Sequence, residues 1–429
     1  MQLLCVLFVL IVKIAHLIVA VEPEGRMCSG CTVLSKTLYC YSGGTWAASV
    51  NYEAKGYADF YMLDISHNFV RSGALAGWLN LSNADNYVLE PNWDFSIVNV
   101  KGQAFVTNGG IGYGIPSAYI KAKPLVNVTT KFLGEEWSTV PLNNPLDQYW
   151  GESGNYVDSK NSIYYWGGWN FHTDTKAGTS FRILDYATNI WSISPAHTLP
   201  NNSVVRYQHT ATMAGDNNIY FIGGSDGYKN NYNISMNEIL VYDTIADTWD
   251  VRQTQGSVTP GPRILHTTTW TKNQWTKQDI RGAPGAGERY GHSAVLVGNS
   301  TLFILFGIGP NPFDNGQSVF FILDLNAMAW TDYYDASALN YSPISGTNSS
   351  HDPFIPPQQK STNTPTIVGA VVGCVGAVGD TRHIVNPNLK LNHSGAAWRA
   401  IRRMLLLAEE KSTSYRSISG AERRQSPIY

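Results

Sequence analysis

Three histidines occupy equivalent places in a recurring motif, and metal binding is the chemistry that such a set could perform. The motif is Arg-x-x-His-Ser/Thr, and its copies are Arg206/His209, Arg263/His266 and Arg289/His292. Imidazole nitrogens from separate repeats could converge on one transition-metal ion. We favour a structural interpretation, in which each arginine and histidine packs and forms hydrogen bonds at the same position of its own repeat.

Cysteines offer a second possible chemistry. Cys31 and Cys40 flank a predicted hairpin turn at Leu34–Thr37. A cross-strand disulfide between them is therefore predicted in an oxidising compartment, with buried thiols as the alternative. Cys28 makes the number of nearby cysteines odd, so one thiol should stay unpaired. No second CxxC pair accompanies Cys28–Cys31, and the sequence contains no phosphate loop, HExxH helix or nucleophile elbow.

The elements that must position these residues are repeated strands, each closed by a pair of glycines. The pairs are Gly43/Gly44, Gly109/Gly110, Gly167/Gly168 and Gly223/Gly224, and a degenerate copy spans Leu302–Gly309. A strand reaching Asp, with Trp six residues later, follows in three units. The tryptophans of this ladder are Trp137, Trp191, Trp249, Trp275 and Trp330. Asp suits the first position of a tight turn, and Trp can fill the space to the next sheet.

One four-stranded antiparallel sheet per unit cannot bury both of its faces, whereas sheets arranged around an axis bury each other. The three markers together resemble the kelch repeats, a family that includes the propeller of galactose oxidase, over residues 26–335. The resemblance implies an all-β fold, a kelch β-propeller of nominally six units.

The fifth unit, at about residues 263–280, is predicted to be truncated. Arg206 and Arg263 are 57 residues apart, whereas Arg263 and Arg289 are only 26 apart. Trp249 and Trp275 show the same short interval of 26. The stretch between lacks a glycine-pair strand, so we expect five complete blades plus a remnant.

The resemblance also raises the copper chemistry of galactose oxidase, which would require a cysteine crosslinked to a copper-binding tyrosine. Apart from Cys5 in the leader, the cysteines are the cluster at residues 28–40 and Cys374 in a late apolar segment. None lies in a mid-ring loop where such a crosslink would form. We therefore expect no enzymatic activity, no bound metal and no cofactor.

Composition and sequence tags indicate export. The net charge is −2, so no nucleic-acid partner is expected. Residues 1–20 form an apolar run typical of a signal peptide. Candidate N-glycosylation sites are Asn80, Asn127, Asn201, Asn233, Asn299, Asn340 and Asn348.

The remaining chain has the pattern of a surface-display segment. Residues 336–366 are a Pro/Ser/Thr/Asn-rich stalk, and 367–378 are a short apolar segment, interpreted as a truncated transmembrane helix. Residues 379–429 are a basic, largely disordered tail, cytoplasmic if the apolar segment inserts. That segment is the expected membrane contact of a single-pass type I protein; otherwise the protein is extracellular.

We expect a secreted or cell-surface propeller that binds a protein or glycan ligand without catalysis. The expected recognition loops are Thr45–Tyr57, Gly112–Lys123, Trp169–Gly178 and Ser225–Met236, because loops on a rigid frame vary without breaking the core. The alternatives are a structural wall or surface glycoprotein and, less favoured, a copper oxidase. Neither the identity of the ligand nor the oligomeric state follows from the sequence.

Overall fold

The computed structural model describes residues 22–46, 54–75, 77–82, 89–110, 129–141, 149–170, 175–226, 233–254, 259–269, 280–282, 285–309 and 320–340. The predicted signal peptide, the stalk beyond residue 340, the apolar segment 367–378 and the basic tail lie outside these residues. None of the helical segments among these described residues has the length and hydrophobicity that spanning a bilayer requires.

The described chain is almost entirely β-structure. Its strands are β1 (Gly30–Leu34), β2 (Thr37–Tyr41), β3 (Gly44–Trp46), β4 (Ala54–Gly56), β5 (Phe60–Asp64), β6 (Phe69–Val70), β7 (Leu79–Asn80), β8 (Ser96–Val100), β9 (Ala104–Asn108), β10 (Thr129–Phe132), β11 (Trp137–Val140), β12 (Ser153–Val157), β13 (Ser162–Trp166), β14 (Trp169–Asn170), β15 (Thr175–Lys176), β16 (Arg182–Asp185), β17 (Trp191–Ile193), β18 (Thr210–Met213), β19 (Asn218–Ile222), β20 (Glu238–Asp243), β21 (Thr248–Gln253), β22 (Tyr290–Val297), β23 (Thr301–Ile308), β24 (Phe320–Asp324), β25 (Ala329–Thr331) and β26 (Tyr333–Tyr334). One short helix, α1, spans Arg71–Leu75, and 3₁₀ turns span Asp158–Lys160, Pro200–Asn202 and Ala336–Asn340.

Twenty of these strands form five four-stranded antiparallel sheets arranged in a ring, which defines a five-bladed β-propeller. The strand orders are β1-β2-β5-β7, β8-β9-β10-β11, β12-β13-β16-β17, β18-β19-β20-β21 and β22-β23-β24-β25. The first strand of each sheet is the innermost, because β1 lies beside β8 and β22, and β12 lies beside β8 and β18. We call the sequence repeats units 1 to 6; the first four sheets belong to units 1–4 and the fifth sheet belongs to unit 6.

Neighbouring sheets share hydrophobic clusters, and the ladder tryptophans help to fill the space between them. Trp249 of unit 4 stacks on Phe181 of unit 3 with ring centroids 5.4 Å apart. Trp137 of unit 2 lies 5.0 Å from the ring of Phe60 in unit 1. Each of these sheets therefore gains a dry interior from its neighbour, as expected for apolar faces that cannot be buried within one sheet.

Unit 5 contributes no sheet within the described residues, only a segment that takes the place of an innermost strand. This segment, residues 263–269, lies between units 4 and 6: Leu265 N–H donates to the Gln208 carbonyl at 3.2 Å, and Gly291 N–H donates to the Leu265 carbonyl at 3.0 Å. The hydrophobic clusters show that a sheet is missing between units 4 and 6. On this side each of the two units has a cluster of its own, whereas other neighbouring sheets share one cluster. The prediction of five complete blades plus a remnant is confirmed.

The ring closes through its termini. Gly307 N–H donates to the Arg26 carbonyl at 2.8 Å, which joins unit 6 to unit 1. β26, which follows the last blade, pairs with β6 of unit 1. These contacts link residues 263 to 281 positions apart in the chain.

Cys31 and Cys40 lie opposite each other in the β1–β2 hairpin and are joined by a disulfide, while Cys28 is a free thiol. Replacing both bonded cysteines by Ala is expected to lower the free energy of unfolding by about 2–3 kcal/mol, because the bond closes a short loop in the unfolded chain. Urea unfolding measures this loss. Reductant should lower the urea midpoint of the wild type and leave the double variant unchanged; an equal response of both proteins would contradict the prediction.

Candidate functional site

A closed ring of six backbone hydrogen bonds surrounds the axis. Each unit contributes the residue two positions after its motif arginine or the equivalent residue. The ring members are Cys28, Asp94, Gly151, Gln208, Leu265 and Gly291. Each N–H donates to the carbonyl of the preceding member at 2.6–3.3 Å, and Cys28 donates to Gly291 to close the circle. We call this set the axial ring. It retains six members, although only five sheets surround it.

All six members of the axial ring have left-handed backbone conformation, with φ between 53° and 63°. Four of them are not glycine, so each carries a steric cost of about 1–2 kcal/mol. Such a conformation persists only where the surroundings fix it. The closed hydrogen-bond circle supplies that constraint and directs the side chains of Cys28, Asp94, Gln208 and Leu265 toward an axial cavity.

The three motif histidines stand immediately after the axial ring and link neighbouring units. Nε2 of His209 lies 2.8 Å from the Ser153 hydroxyl of unit 3, and Nε2 of His292 lies 2.8 Å from the Thr267 hydroxyl of unit 5. His266 makes the same contact to Thr210 of unit 4 at 3.3 Å. The hydrogen bonds therefore cross unit boundaries, whereas the sequence interpretation placed them within each repeat.

Burial keeps these imidazoles neutral. Burial first, and then the nearby Arg206 charge, lowers the pKa of His209 to about 3. Burial, followed by the Arg263 charge, lowers the pKa of His266 to about 3. Burial with Arg289 nearby lowers the pKa of His292 to about 4. A neutral imidazole can share a hydroxyl hydrogen, so the arrangement is suited to joining inner strands.

The glycine pairs provide a second link between units. The second residue of each pair donates its N–H to the carbonyl at the motif-arginine position of the next unit. These bonds are Gly43 to Asn92, Gly110 to Tyr149, Gly168 to Arg206, Gly224 to Arg263 and Gly307 to Arg26, at 2.8–3.1 Å, with Gly43 the first member of its pair. The degenerate copy uses Phe306–Gly307, whose φ angles of 59° and 83° match the glycine pairs elsewhere.

The motif arginines bind carbonyl groups, and in two units a carboxylate, of their own blades. Arg206 pairs with Glu238 at 2.8 Å, and Arg26 pairs with Asp59. Arg289 donates to the Phe306 carbonyl at 2.6 Å. Arg263, in the truncated unit, donates to the Gly261 carbonyl at 3.1 Å, and the described residues of that unit include no further strand that could face it.

Glu152 takes the histidine position in unit 3 and was not singled out by sequence. It is fully buried and forms an ion pair with Arg182 of its own sheet. Its Oε1 also accepts from Asn108 of unit 2 at 2.7 Å. Burial raises the pKa of Glu152, and Arg182 and Asn108 oppose that rise. Glu152 could have been found from the sequence, because it follows Tyr149 by three residues, as His209 follows Arg206. No sequence pattern predicted Arg182 as its partner.

Replacing Arg182 by Met is expected to lower the free energy of unfolding by about 3 kcal/mol, because an uncompensated carboxylate would be left in the interior. The loss lies at the low end of the usual range because Asn108 still donates to Glu152. Urea unfolding measures it. Adding Glu152→Gln to this variant should restore most of the stability. The exposed pair Lys101–Asp158, 2.8 Å apart, is the control: Lys101→Met should cost less than about 1 kcal/mol. Equal losses at both sites would contradict the prediction.

An axial cavity of about 160 Å³ adjoins the axial ring. Its polar side chains include Asp94, Gln208 and the free thiol of Cys28, and Phe95 and Leu265 supply apolar surface. Gln208 Nε2 donates to Asp94 Oδ2 at 2.7 Å across the intervening Gly151. An added Cβ on Gly151 would lie 2.9 Å from Gln208 Cγ, so glycine is needed there for this bond.

The two ends of the propeller differ in loop length. In an antiparallel sheet, first-to-second and third-to-fourth connections share one end, and second-to-third connections share the other. The first kind are tight, spanning 35–36, 101–103, 133–136, 158–161, 186–190, 214–217, 244–247, 298–300 and 325–328, apart from 65–78 in unit 1. The second kind are long: 42–59, 109–128, 167–181, 223–237 and 309–319. We call these ends the turn face and the loop face.

Three of the four expected recognition loops begin and end in described residues, and these three belong to the loop face. Thr45–Tyr57 starts in the β3–β4 hairpin, Trp169–Gly178 contains the β14–β15 hairpin, and Ser225–Met236 is held at its base by a bridge between Ser225 and Asn233. Gly112–Lys123 lies outside the described residues. The axial ring and the glycine pairs occur at this end, so the loops surround the axis.

The candidate glycosylation sites are distributed over the propeller. Asn80, Asn201 and Asn299 are exposed, and Asn233 is half-buried. Asn127 and Asn348 lie outside the described residues, as does the side chain of Asn340. Trp275 is outside them too.

Within the described ranges, no three His, Cys, Asp or Glu side chains lie close enough together to hold a metal ion. The three motif histidines thus line one cavity without forming such a group. No protein-family model matches the chain, and no curated protein matches it. The fold therefore stands on the geometry alone: an all-β, five-bladed propeller with a sixth, reduced position.

Proposed function

We propose that the protein is a kelch-type propeller that binds a protein or glycan ligand, without catalysis, through its loop face. The contrast between the two faces supports this proposal: the five second-to-third connections, of 11 to 20 residues, stand at one end, around the axis, on a ring fixed by hydrogen bonds between units. At the other end, all connections but 65–78 have two to five residues. Loops on a rigid frame can vary without disturbing the core, and binding residues concentrate on them.

The test is binding of the full chain to glycan and protein panels, followed by charge reversal on each face. Lys176 is exposed in the β14–β15 hairpin of the loop face, and Lys101 is exposed in a turn of the turn face. Lys176→Glu should change the affinity for any ligand found, whereas Lys101→Glu should not. Loss of binding only with Lys101→Glu would refute the assignment. Failure to bind any member would favour the structural glycoprotein.

Export to the cell surface or the extracellular space belongs to the same proposal. The Cys31–Cys40 disulfide supports it, since such bonds persist in oxidising compartments. Exposure of Asn80, Asn201 and Asn299 leaves these side chains accessible to glycosylation. Removal of N-glycans from the secreted protein should increase its electrophoretic mobility, and a protein without glycans would contradict this part. Copper loading followed by a peroxide assay tests the oxidase alternative.

A further inference from the structure

Asp94 is a carboxylate on the propeller axis with no cationic partner among the described residues. Other carboxylates of the interior have one: Glu152 pairs with Arg182, and Glu238 pairs with Arg206. Asp94 has the neutral Gln208 amide on Oδ2. Burial raises the pKa of Asp94 to about 6, and the Gln208 hydrogen bond opposes this only in part. A bound cation would stabilise the ionised form of this carboxylate, because burial disfavours the charge and a nearby opposite charge favours it.

The space beside Asp94 suits a small molecule with an apolar part. The cavity of about 160 Å³ is close to the roughly 150 Å³ that accommodates benzene in a protein interior. Phe95 and Leu265 line it, and Gly151 and Gly291 add no side chains that would fill it. Most of the other lining side chains are polar, so Phe95 and Leu265 form the apolar part of a largely polar pocket. Small-molecule sites combine apolar surface with a few polar groups that fix the orientation of the ligand.

We propose that this axial cavity binds an alkylammonium ion, with the ammonium group on the Asp94 carboxylate and the hydrocarbon part against Phe95 and Leu265. A metal ion fits less well, because the described residues offer no group of three ligating side chains. The site goes beyond the proposed scaffold function, since it uses the axis and not the loops. Loss of macromolecular binding at the loop face would leave it unaffected.

Charges around Asp94 do not compete with this assignment. Burial, with the Asp94 charge second, raises the pKa of the Cys28 thiol well above its usual range, so the thiol stays neutral. The three motif histidines are also neutral at pH 5 and above, because burial lowers the pKa of each to about 4 or less. Glu152 is held by Arg182. Protonation of Asp94 should therefore govern the pH dependence of binding.

The first experiment titrates the full chain with n-butylammonium, Nα-acetyl-lysinamide and n-butanol by calorimetry. Saturable binding of n-butylammonium is expected, at least tenfold tighter than n-butanol, because a charge-assisted hydrogen bond is lost with the alcohol. Affinity should fall as the pH decreases from about 7.5 to about 5. Binding of the lysine derivative as well would indicate a lysine side chain of a partner as the source; n-butylammonium alone would indicate a free amine. Binding of neither overturns the proposal, as does tighter binding of K⁺ or Ca²⁺ at Asp94.

The second experiment compares Asp94→Asn with Glu136→Gln, which removes the same charge from an exposed turn on the opposite face. Asp94→Asn keeps an acceptor for Gln208 and should weaken n-butylammonium binding at least tenfold and abolish its pH dependence. Glu136→Gln should change neither. Equal affinity in wild type and Asp94→Asn would refute the site. Thermal unfolding shows whether the Asp94→Asn variant is folded. If the variant does not fold, the pH series on the wild-type protein still tests the site.

Discussion

Lowering the pH from about 6.5 to about 4.5 is expected to destabilise the propeller by about 3 kcal/mol per pH unit. Burial lowers the pKa of His209 and His266 to about 3 and that of His292 to about 4. A histidine with a lowered folded-state pKa contributes stability above its unfolded value, about 6.5, and loses it as the pH falls toward the folded value. Each therefore costs about 1.4 kcal/mol per pH unit over this range.

Asp94 acts in the opposite direction. Burial raises its pKa to about 6, so the folded protein takes up a proton there before the unfolded chain does. Its contribution is present at low pH and is lost as the pH rises through about 6, which offsets one of the three histidines on acidification. The sum of three losses and one gain gives the expected slope of about 3 kcal/mol per pH unit.

Urea unfolding at a series of pH values measures the slope. His209→Gln removes one titrating group and retains a hydrogen-bonding side chain, so the slope should fall by about 1.4 kcal/mol per pH unit. A stability that does not change between pH 6.5 and 4.5 would show that these imidazoles are not buried as neutral groups.

Replacing Gly167 by Ala is expected to lower the free energy of unfolding by about 4–5 kcal/mol. Gly167 has φ of +73°, and an added Cβ would overlap the Arg206 carbonyl oxygen and lie 2.6 Å from His209 Cε1. The left-handed conformation costs about 1–2 kcal/mol, and forced repacking adds about 1–3 kcal/mol. The shift would also disturb the neighbouring hydrogen bond from Gly168 to the Arg206 carbonyl. Such a loss is a large part of the total stability of a domain.

Thermal and urea unfolding of the variant measure this effect. Gly178→Ala is the matched control, because Gly178 is exposed and no atom lies within 4 Å of the position that the new methyl group would take. That change should alter stability by less than about 0.5 kcal/mol. If Gly167→Ala were equally mild, the glycine pairs would not be the close-contact points between units that we describe.

Some features followed from local patterns. The Gly223/Gly224 pair predicted the end of a strand, and the spacing of Trp249 predicted a side chain that fills the space between two sheets. Both could be predicted because backbone conformation and apolar periodicity act over a few residues. The short interval between Arg263 and Arg289 predicted the reduced fifth unit, because each blade needs a fixed length of chain. Nothing local indicated that Arg182 would neutralise Glu152, since Arg182 lies on another strand and carries no motif.

The amino-acid sequence by itself determined the units of this propeller: which segments form strands, where they turn, and which unit is incomplete. The contacts at the propeller axis depend on the closure of the ring. Cys28 and Gly291 meet there although 263 positions separate them, and Asp94 and Gln208 bond across Gly151 although 114 separate them. A repeat pattern specifies each unit's interior because the interactions within it are local. The circle of hydrogen bonds, the histidine–hydroxyl links and the Asp94 cavity exist only where separate units meet, so only the tertiary structure could reveal them.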